Sequence, residues 1–305
     1  MSRPSEVSII MPTMATRERA DSLVRAIETV VAQKGVRGVP LVVVNGRVGA
    51  PDLLMHLHRR PDIRLVILEE ANLPRALQAG RQRVQTPYFA VLDDDDELLP
   101  NALEIRLAAL EAGPPADVVV TNGVLAGRGR AELNIADFRE AEADPLRRLL
   151  AQHWLPPCAG LFRTAAVTTA FFDGIPRYRE WTYLALRVAL GLRIRFTARP
   201  TFVYRTDTPG SLSKSRPYCL AGPAAIRRML ELDLPADVRA ILRVRLAGDL
   251  HSAAVCELDA GRYGAAWGWH LRSLVQPSGW RYLPFARNLL LGALTGSRAD
   301  DSDSV

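Results

Sequence analysis

Residues 88–97 read Tyr-Phe-Ala-Val-Leu-Asp-Asp-Asp-Asp-Glu, an apolar run that passes without a spacer into five acids. A continuous apolar run bounded by polar residues is the pattern of a strand buried on both faces, and such strands belong to parallel sheets covered by helices. The chain around it repeats the pattern. Val7–Met11, Leu41–Val44, Arg64–Leu68 and Val118–Thr121 are further short strands. Helical patterns separate them: Leu23, Ala26, Ile27, Val30 and Val31; then Leu53, Leu54 and Leu57; then Pro74–Val84 and Pro100–Leu110. This alternation predicts an α/β fold with a mostly parallel sheet flanked by helices. Sheets of this kind bind ligands beyond the carboxyl ends of their strands. The Pro12-Thr13 turn, the stop at Asn45-Gly46 and the acidic cluster all fall at such ends.

Carboxylates this close repel and raise one another's pKa unless a cation neutralises them, so Asp93–Glu97 reads as a seat for a hard divalent metal. If the strand continues through the acids, Asp93 and Asp95 point to one side and Asp94 and Asp96 to the other. The competing reading is a solvated acidic turn that caps the following helix. For Asp94 and Asp96 a purely internal role, accepting hydrogen bonds from backbone amides, stands beside the ligand role.

With 305 residues and 48% hydrophobic content, the chain can bury a large core as one domain or as a domain plus an extension. The sequence contains no run of about 18 apolar residues and no signal-peptide pattern, so a cytoplasmic protein is expected. Cys158, Cys219 and Cys256 are odd in number and far apart, which suits reduced thiols. The net charge of +6, with a pI near 9.6, is almost wholly arginine, since Lys34 and Lys214 are the only lysines. These arginines are scattered and form no basic tract interleaved with aromatics, so no nucleic-acid partner is expected. Their excess suits a phosphorylated substrate or an anionic membrane surface.

Further on, Arg128–Asp144 is polar and reads as a loop or weak helix. Glu180–Leu190 reads as a helix stopped by Gly191, followed by two strands, Arg193–Thr197 and Thr201–Tyr204. After Arg205 the segment TDTPGSLSKSRP has the composition of a mobile loop. From about Gly222 to Leu294 the pattern is amphipathic helix, and Ser297–Val305 is a polar tail expected to be disordered. The expected organisation is a catalytic domain at 1–215, a helical extension at 216–296 and the tail. In the extension Trp267, Trp269, Trp280 and Tyr282 accompany Arg272, Arg281 and Arg287. They suit peripheral contact with the inner face of a membrane, or packing of the helices on the domain. His56 and His58 are two apart on a helix and diverge, so they make a poor metal pair. His153, Trp154 and Cys158 line an acceptor pocket or belong to the core.

The order of these motifs resembles the family 2 glycosyltransferases of the GT-A fold, over roughly residues 6–215. VSIIMPT at 7–13 looks like the family's opening strand with its Pro-Thr nucleotide-binding turn. FAVLDDDDELLPNAL at 89–103 looks like its metal-binding Asp-x-Asp strand end and the next helix. GLFR at 160–163 resembles the strand before the acceptor site, REWTYLALRVALGLRIRF at 179–196 the helix and strand bearing the catalytic carboxylate, and VYR at 203–205 the closing strand.

The resemblance implies an inverting, metal-dependent transfer of a sugar from a nucleotide-diphosphate donor to a hydroxyl acceptor on a glycan, a lipid carrier or a small molecule. It assigns Mn²⁺ or Mg²⁺ to Asp95 and Asp207. The donor falls to Pro12, Thr13, Arg17, Asn45, Asp93, Asp94 and Arg205, with Arg19 as the alternative to Arg17 at the diphosphate, and the base role to Glu180. An acid in the first turn of a helix also suits the helix dipole without catalysis. Arg205 with Ser211, Ser213 and Lys214 forms either a lid over the diphosphate or a linker.

The chain departs from the family at several points. Asn45 and Gly46 stand where aspartates are usual, and Glu180-Trp181 stands where Glu-Asp is common. Leu77-Gln78 replaces Arg-Asn, and Asp207 sits where some members place a histidine. These departures keep open a catalytically degenerate nucleotide-sugar-binding protein. A nucleotidyltransferase is the other alternative, although no glycine-rich phosphate loop with a lysine lies near the N-terminus.

Overall fold

A computed structural model describes residues 5–127, 129–206 and 215–296. Residues up to Pro209 form one compact unit and those from Gly210 onward a second.

In the first unit the order is β1 (Glu6–Thr13), α1 (Ala20–Val31), β2 (Arg37–Val44), α2 (Pro51–His58), β3 (Arg64–Ile67), α3 (Leu73–Arg83), β4 (Tyr88–Val91), β5 (Glu97–Leu98) and α4 (Ala102–Glu111). Then come β6 (Val118–Gly127), β7 (Arg130–Leu133), α5 (Arg139–Ala143), α6 (Pro145–Ala151), β8 (Gly160–Arg163), α7 (Glu180–Gly191) and β9 (Ile194–Arg205). The strands form one sheet in the order β3-β2-β1-β4-β8-β6-β9-β5, with β7 paired to β6. The β3-β2-β1-β4 half is parallel, as is β6 with β9. β8 runs antiparallel to both β4 and β6, and β5 antiparallel to β9, so the far half of the sheet is mixed.

The parallel half forms because its strands are apolar throughout. Val7, Ile9, Ile10 and Met11 of β1 and Leu41–Val44 of β2 are fully buried between helices. α1 turns Leu23, Ala26, Ile27 and Val30 onto the sheet at helical spacing. α3 starts on Pro74 with Asn72 as its cap, whose side chain accepts from the Arg75 amide at 3.1 Å.

Strand β1 carries a proline, although it lies between two neighbours. Its pairing with β4 covers only Val7–Ile10, closed by Leu92 N–H donating to the Ile10 carbonyl at 3.0 Å, whereas its pairing with β2 runs on to Thr13. Residues two apart along a strand aim their backbone groups the same way. Pro12 therefore lacks a donor on the side where β4 has already stopped, which is where a proline is tolerated. That side is where the strand order reverses, the place at which sheets of this kind receive ligands.

Three expectations from the sequence are corrected. Arg128–Asp144, expected as a loop or weak helix, holds the short helix α5 but also the strand β7, which forms a hairpin with β6. The two strands expected at Arg193–Thr197 and Thr201–Tyr204 are one strand, β9, with a register shift against β6 at Asn122 opposite Pro200. At that shift the absent Cβ of Gly123 leaves room for the Phe202 ring. Helix α7 includes Gly191 rather than stopping before it.

Some of the arginines are structural. Arg106 is completely buried, donates to Thr201 Oγ1 at 2.9 Å and to the Cys158 carbonyl at 2.5 Å, and has its pKa lowered to about 10 by burial. Arg81 binds the carbonyls of Thr164 and Val167 from α3 and lies over the Phe89 ring.

The second unit is helical: α8 (Arg216–Leu230), α9 (Ala236–Asp259), α10 (Tyr263–Leu274), a 3₁₀ segment Gly279–Phe285 and α11 (Ala286–Gly296). Ser215 caps α8, accepting from the Tyr218 amide. Gly222 lets α8 approach α9 closely, since a Cβ there would lie 2.7 Å from the Asp249 carboxylate. Buried Glu257 is clasped by Arg216 at 2.7 Å and by Arg262. The tail at 297–305 lies outside the described residues.

Candidate active site

Beyond Val91 the chain turns. Asp96 N–H donates to the Asp93 carbonyl at 3.2 Å, so Asp94 and Asp95 occupy the corner of a turn and not an extended strand. The expected two-sided alternation is thus corrected in its cause. Asp94 and Asp96 are nevertheless buried while Asp93 and Asp95 remain partly open.

Each acid has a distinct setting. Asp94 accepts from the Thr13 hydroxyl at 2.6 Å and from Arg19 at 2.9 Å. The same Arg19 nitrogen lies 2.9 Å from Asp95. Asp96 accepts from the Arg205 backbone amide at 3.0 Å and lies against the Cys158 thiol, and its second oxygen receives no nitrogen or oxygen donor among the described residues. Glu97 is paired with Arg205 at 2.6 Å and Arg25 at 2.8 Å.

The carboxylates outnumber the cations that reach them. Burial, followed by the charges of Asp96, Asp95, Asp94 and Glu180, raises the Asp93 carboxyl well above the usual range. Asp96 is pushed up to about 7, chiefly by burial and against the Arg205 amide. Asp94 is raised by burial despite its bonds from Thr13 and Arg19.

Glu180 opens α7 at 6% exposure, and its Oε1 accepts from the Tyr178 amide at 2.9 Å. Burial raises its pKa, with amide hydrogen bonds and the Arg177 charge acting against that rise. Tyr178 sits in the left-handed region at φ +71°, an uncommon conformation for a bulky residue that turns the chain just before the helix. The Glu180 charge is among those that act on Asp93, so the start of α7 lies within electrostatic reach of the acidic turn.

The structure brings together Thr13, Asp93, Asp94, Asp95, Arg205 and Glu180. Pro12 is inside β1 and not in a turn. Thr13 Oγ1 is engaged by Asp94 and by the Ala15 amide. Asn45 accepts from the Asn72 amide at 2.6 Å, which ties the end of β2 to the start of α3. Arg17 is not brought to the turn, since it is exposed and faces Asp52 at 3.9 Å. Asp207, Ser211, Ser213 and Lys214 lie outside the described residues. His153 is half-buried: desolvation lowers its pKa to about 4, and it bonds to the Trp181 main chain. Trp154 is core, its indole donating to the Pro145 carbonyl at 2.8 Å.

Two residues were not singled out for the roles they occupy. Arg19, not Arg17, reaches the acids because the 3₁₀ turn Arg17–Arg19 precedes α1 and swings the later arginine inward. Tyr204 faces the cluster, its hydroxyl pKa raised by burial and by Asp93 and Asp96. Beside the site a cavity of about 240 Å³ is lined by Asn72, Arg75 and Gln78 of the α3 end and by Phe172, Ile175 and Arg177.

Among the described residues no group of three or more His, Cys, Asp or Glu side chains is placed to hold a metal ion. The oxygen-only donor set still fits a hard cation. Mg²⁺ commonly takes one or two carboxylates and completes its shell with water and substrate phosphates. The undonated oxygen of Asp96 and the uncompensated charge around Asp93 agree with a cation-seeking turn.

Known proteins resemble this chain in sequence and in fold. The chain is 31% identical over 137 residues to the succinoglycan biosynthesis protein ExoO of Rhizobium meliloti, covering 45% of this chain and 38% of that protein. It thus spans well under half the length of that relative. The fold is similar to Staphylococcus aureus TarS 1–349 in complex with UDP, with a TM-score of 0.56, 13% identity and 88% of each chain covered. It is also similar to the mannosyltransferase PcManGT of Pyrobaculum calidifontis, solved with GDP-Man and Mn²⁺. That match has a TM-score of 0.52 and 15% identity, covering 100% of this chain and 89% of that one. These likenesses show the GT-A type of fold. The description of glycosyl transferase family 2 matches residues 8–168, more than half of the chain, and the chain belongs to that family.

Proposed function

We propose that this chain transfers a sugar from a nucleotide-diphosphate donor to a hydroxyl acceptor, with inversion and with help from a divalent cation. The observation that carries the reading is the convergence of an under-neutralised acidic turn and a buried glutamate in the first turn of α7 on one site.

In this reading residues 1–215 act as the transferase domain and 216–296 as its helical extension. Asp95 and Asp93, the two partly open acids, hold Mn²⁺ or Mg²⁺, which when bound stabilises charge on the departing diphosphate. Asp94 is better suited to positioning, since Thr13 and Arg19 already occupy its oxygens. Arg19 releases Asp95 to the cation and turns toward phosphate, where a guanidinium binds well. Asn45 and Asn72 form the floor for the base. Glu180 takes the proton of the attacking hydroxyl, and its raised pKa suits a base working near neutrality. Among the described residues, Glu180 is the acid assigned to the face opposite the leaving group, and no covalent nucleophile is required, so a single displacement with inversion follows.

The relatives support the donor class. TarS was solved with UDP-GlcNAc and PcManGT with GDP-Man, and ExoO is named for succinoglycan biosynthesis, so a role in polysaccharide or glycoconjugate synthesis fits. We place the reaction in the cytoplasm, at the membrane face. The test is a thermal-shift panel of nucleotide diphosphates and their sugars, each with and without Mn²⁺ or Mg²⁺. Stabilisation by one nucleotide only when metal is present is expected, because a ligand of the native state raises its melting point. Equal stabilisation with and without metal would remove the cation from the reading.

A further inference from the structure

A chain with 33 acidic residues places none between Asp259 and Asp300, while Arg262, Arg272, Arg281 and Arg287 fall in that interval. Within it, three successive elements display the same chemistry. α10 and the residue after it expose Leu271 (56%) and Val275 (79%), one helical turn apart, with exposed Arg272 beside them. The 3₁₀ segment exposes Trp280 (76%) and Leu283 (60%) with Arg281. α11 exposes Leu290 with Arg287 three residues before it on the same side. Isolated exposed apolar residues are ordinary, but a repeated apolar and arginine set on adjoining elements is the mark of an interaction surface.

The display is built and not frayed. The ring of His251 stacks on Tyr282 at 4.2 Å and meets Phe285 edge-on at 4.8 Å, and His270, fully buried, lies 5.6 Å from Phe285. These contacts pin the 3₁₀ segment to α9 and α10 by its inner side chains, leaving Trp280 and Leu283 outward. Gly279 permits the join, because a Cβ there would fall 2.0 Å from the Ser273 carbonyl oxygen. Arg272 lies over the Trp269 ring at 5.2 Å, so its charge rests on an aromatic shelf.

We infer that this face, formed by α10, the 3₁₀ segment and α11, docks on a bilayer rich in anionic phospholipid. Exposed Arg272, Arg281 and Arg287, in a stretch of sequence that holds no acid, complement an anionic headgroup layer, and tryptophan and leucine suit the boundary between headgroups and acyl chains. Among the described residues no helix is long and apolar enough to cross a membrane, so the surface lies on the bilayer. The inference sharpens the membrane location proposed above and does not depend on the transfer reaction.

The experiment is sedimentation of the full chain with phosphatidylcholine vesicles, with and without phosphatidylglycerol. Binding to the anionic vesicles is expected to exceed that to the neutral ones and to weaken as ionic strength rises from about 0.1 to about 1 M. Replacing Arg272, Arg281 and Arg287 together by Gln is expected to lower apparent affinity on the order of a hundredfold, about fivefold per arginine. Trp280→Ser with Leu283→Ser is expected to cost about tenfold or more at any salt. All five side chains are exposed, so far-UV circular dichroism and melting should match wild type. Equal binding to both vesicle types, or none to either, would overturn the inference. So would a concentration-dependent dimer that the Trp280 variant dissolves, since that outcome assigns the face to a second copy of the chain. Glu180→Gln should bind vesicles as wild type does, so failure of the membrane surface and failure of the transfer reading are told apart.

Discussion

Two buried carboxylate sites in this chain are built on opposite charge balances. At the acidic turn Asp93–Asp96 crowd together with Arg19 paired to Asp94 and Asp95, and burial above all raises the pKa of Asp93, Asp94 and Asp96. At Glu257 one carboxylate, 2% exposed, is held between Arg216 and Arg262. Burial would raise its pKa, but the hydrogen bonds from Arg262 and Arg216 prevail and lower it. The second site is satisfied from within and has no call on a ligand. The first is short of positive charge, which in the function proposed above a cation or a cationic complex supplies.

The comparison is tested hardest at Glu180. Glu180→Gln keeps the size and the Tyr178 bond but cannot take a proton, so transfer should fall by about 10² to 10⁴-fold while donor binding persists. A variant that retains full turnover would return Glu180 to a helix-capping role. Next in size is Asp95→Asn, which should abolish the metal-dependent part of donor stabilisation. At a ligand concentration 100 times the Kd that part is worth about 2.7 kcal/mol, read as a shift in Tm. An unchanged shift would mean that Asp95 binds no cation. At the contrasting site, Glu257→Gln should destabilise the helical unit by about 1–3 kcal/mol in urea unfolding, since two arginines lose their shared acceptor. A neutral result would show that the clasp is ornamental.

The smallest effects are the pH slopes, and they have opposite signs. Asp96 has a folded pKa raised from 3.8 to about 7, so the folded state binds more protons than the unfolded one in that interval. Without divalent cation, stability should therefore fall as pH rises from about 4 to about 7, and Asp96→Asn should flatten the slope. Glu257, with its folded pKa lowered below 4.5, contributes stability that is present above that value and lost as pH falls through the folded pKa. Added Mg²⁺ should shrink the first slope and leave the second untouched. A first slope indifferent to both Mg²⁺ and Asp96→Asn would separate the acidic turn from cation binding.

The parallel half of the sheet was legible in the sequence because β1, β2 and β4 are buried on both faces and show as apolar runs, with part-exposed β3 at its edge. What the sequence hid has particular causes. β7 is exposed at every residue and so offers no alternation to read. Pro200 looked like a break in β9, yet the register shift beside Asn122 absorbs it. β5 is two residues long and begins on Glu97, so it passed for part of the acidic run. At the site, residue types were readable and partners were not. Nothing in the spacing of Arg17 and Arg19 says which one the 3₁₀ turn carries inward, and the bond from the Asn72 amide to Asn45 joins positions 27 apart.

The proline in β1 has a consequence for anyone who would re-engineer this cleft. Any other residue at position 12 restores a backbone N–H on the β4 side, and in the parallel register its acceptor would be the Leu92 carbonyl, one residue before the acidic turn. A single imide thus ends the ladder just ahead of the acids, and a library that varies position 12 should be scored for ligand uptake as well as for folding.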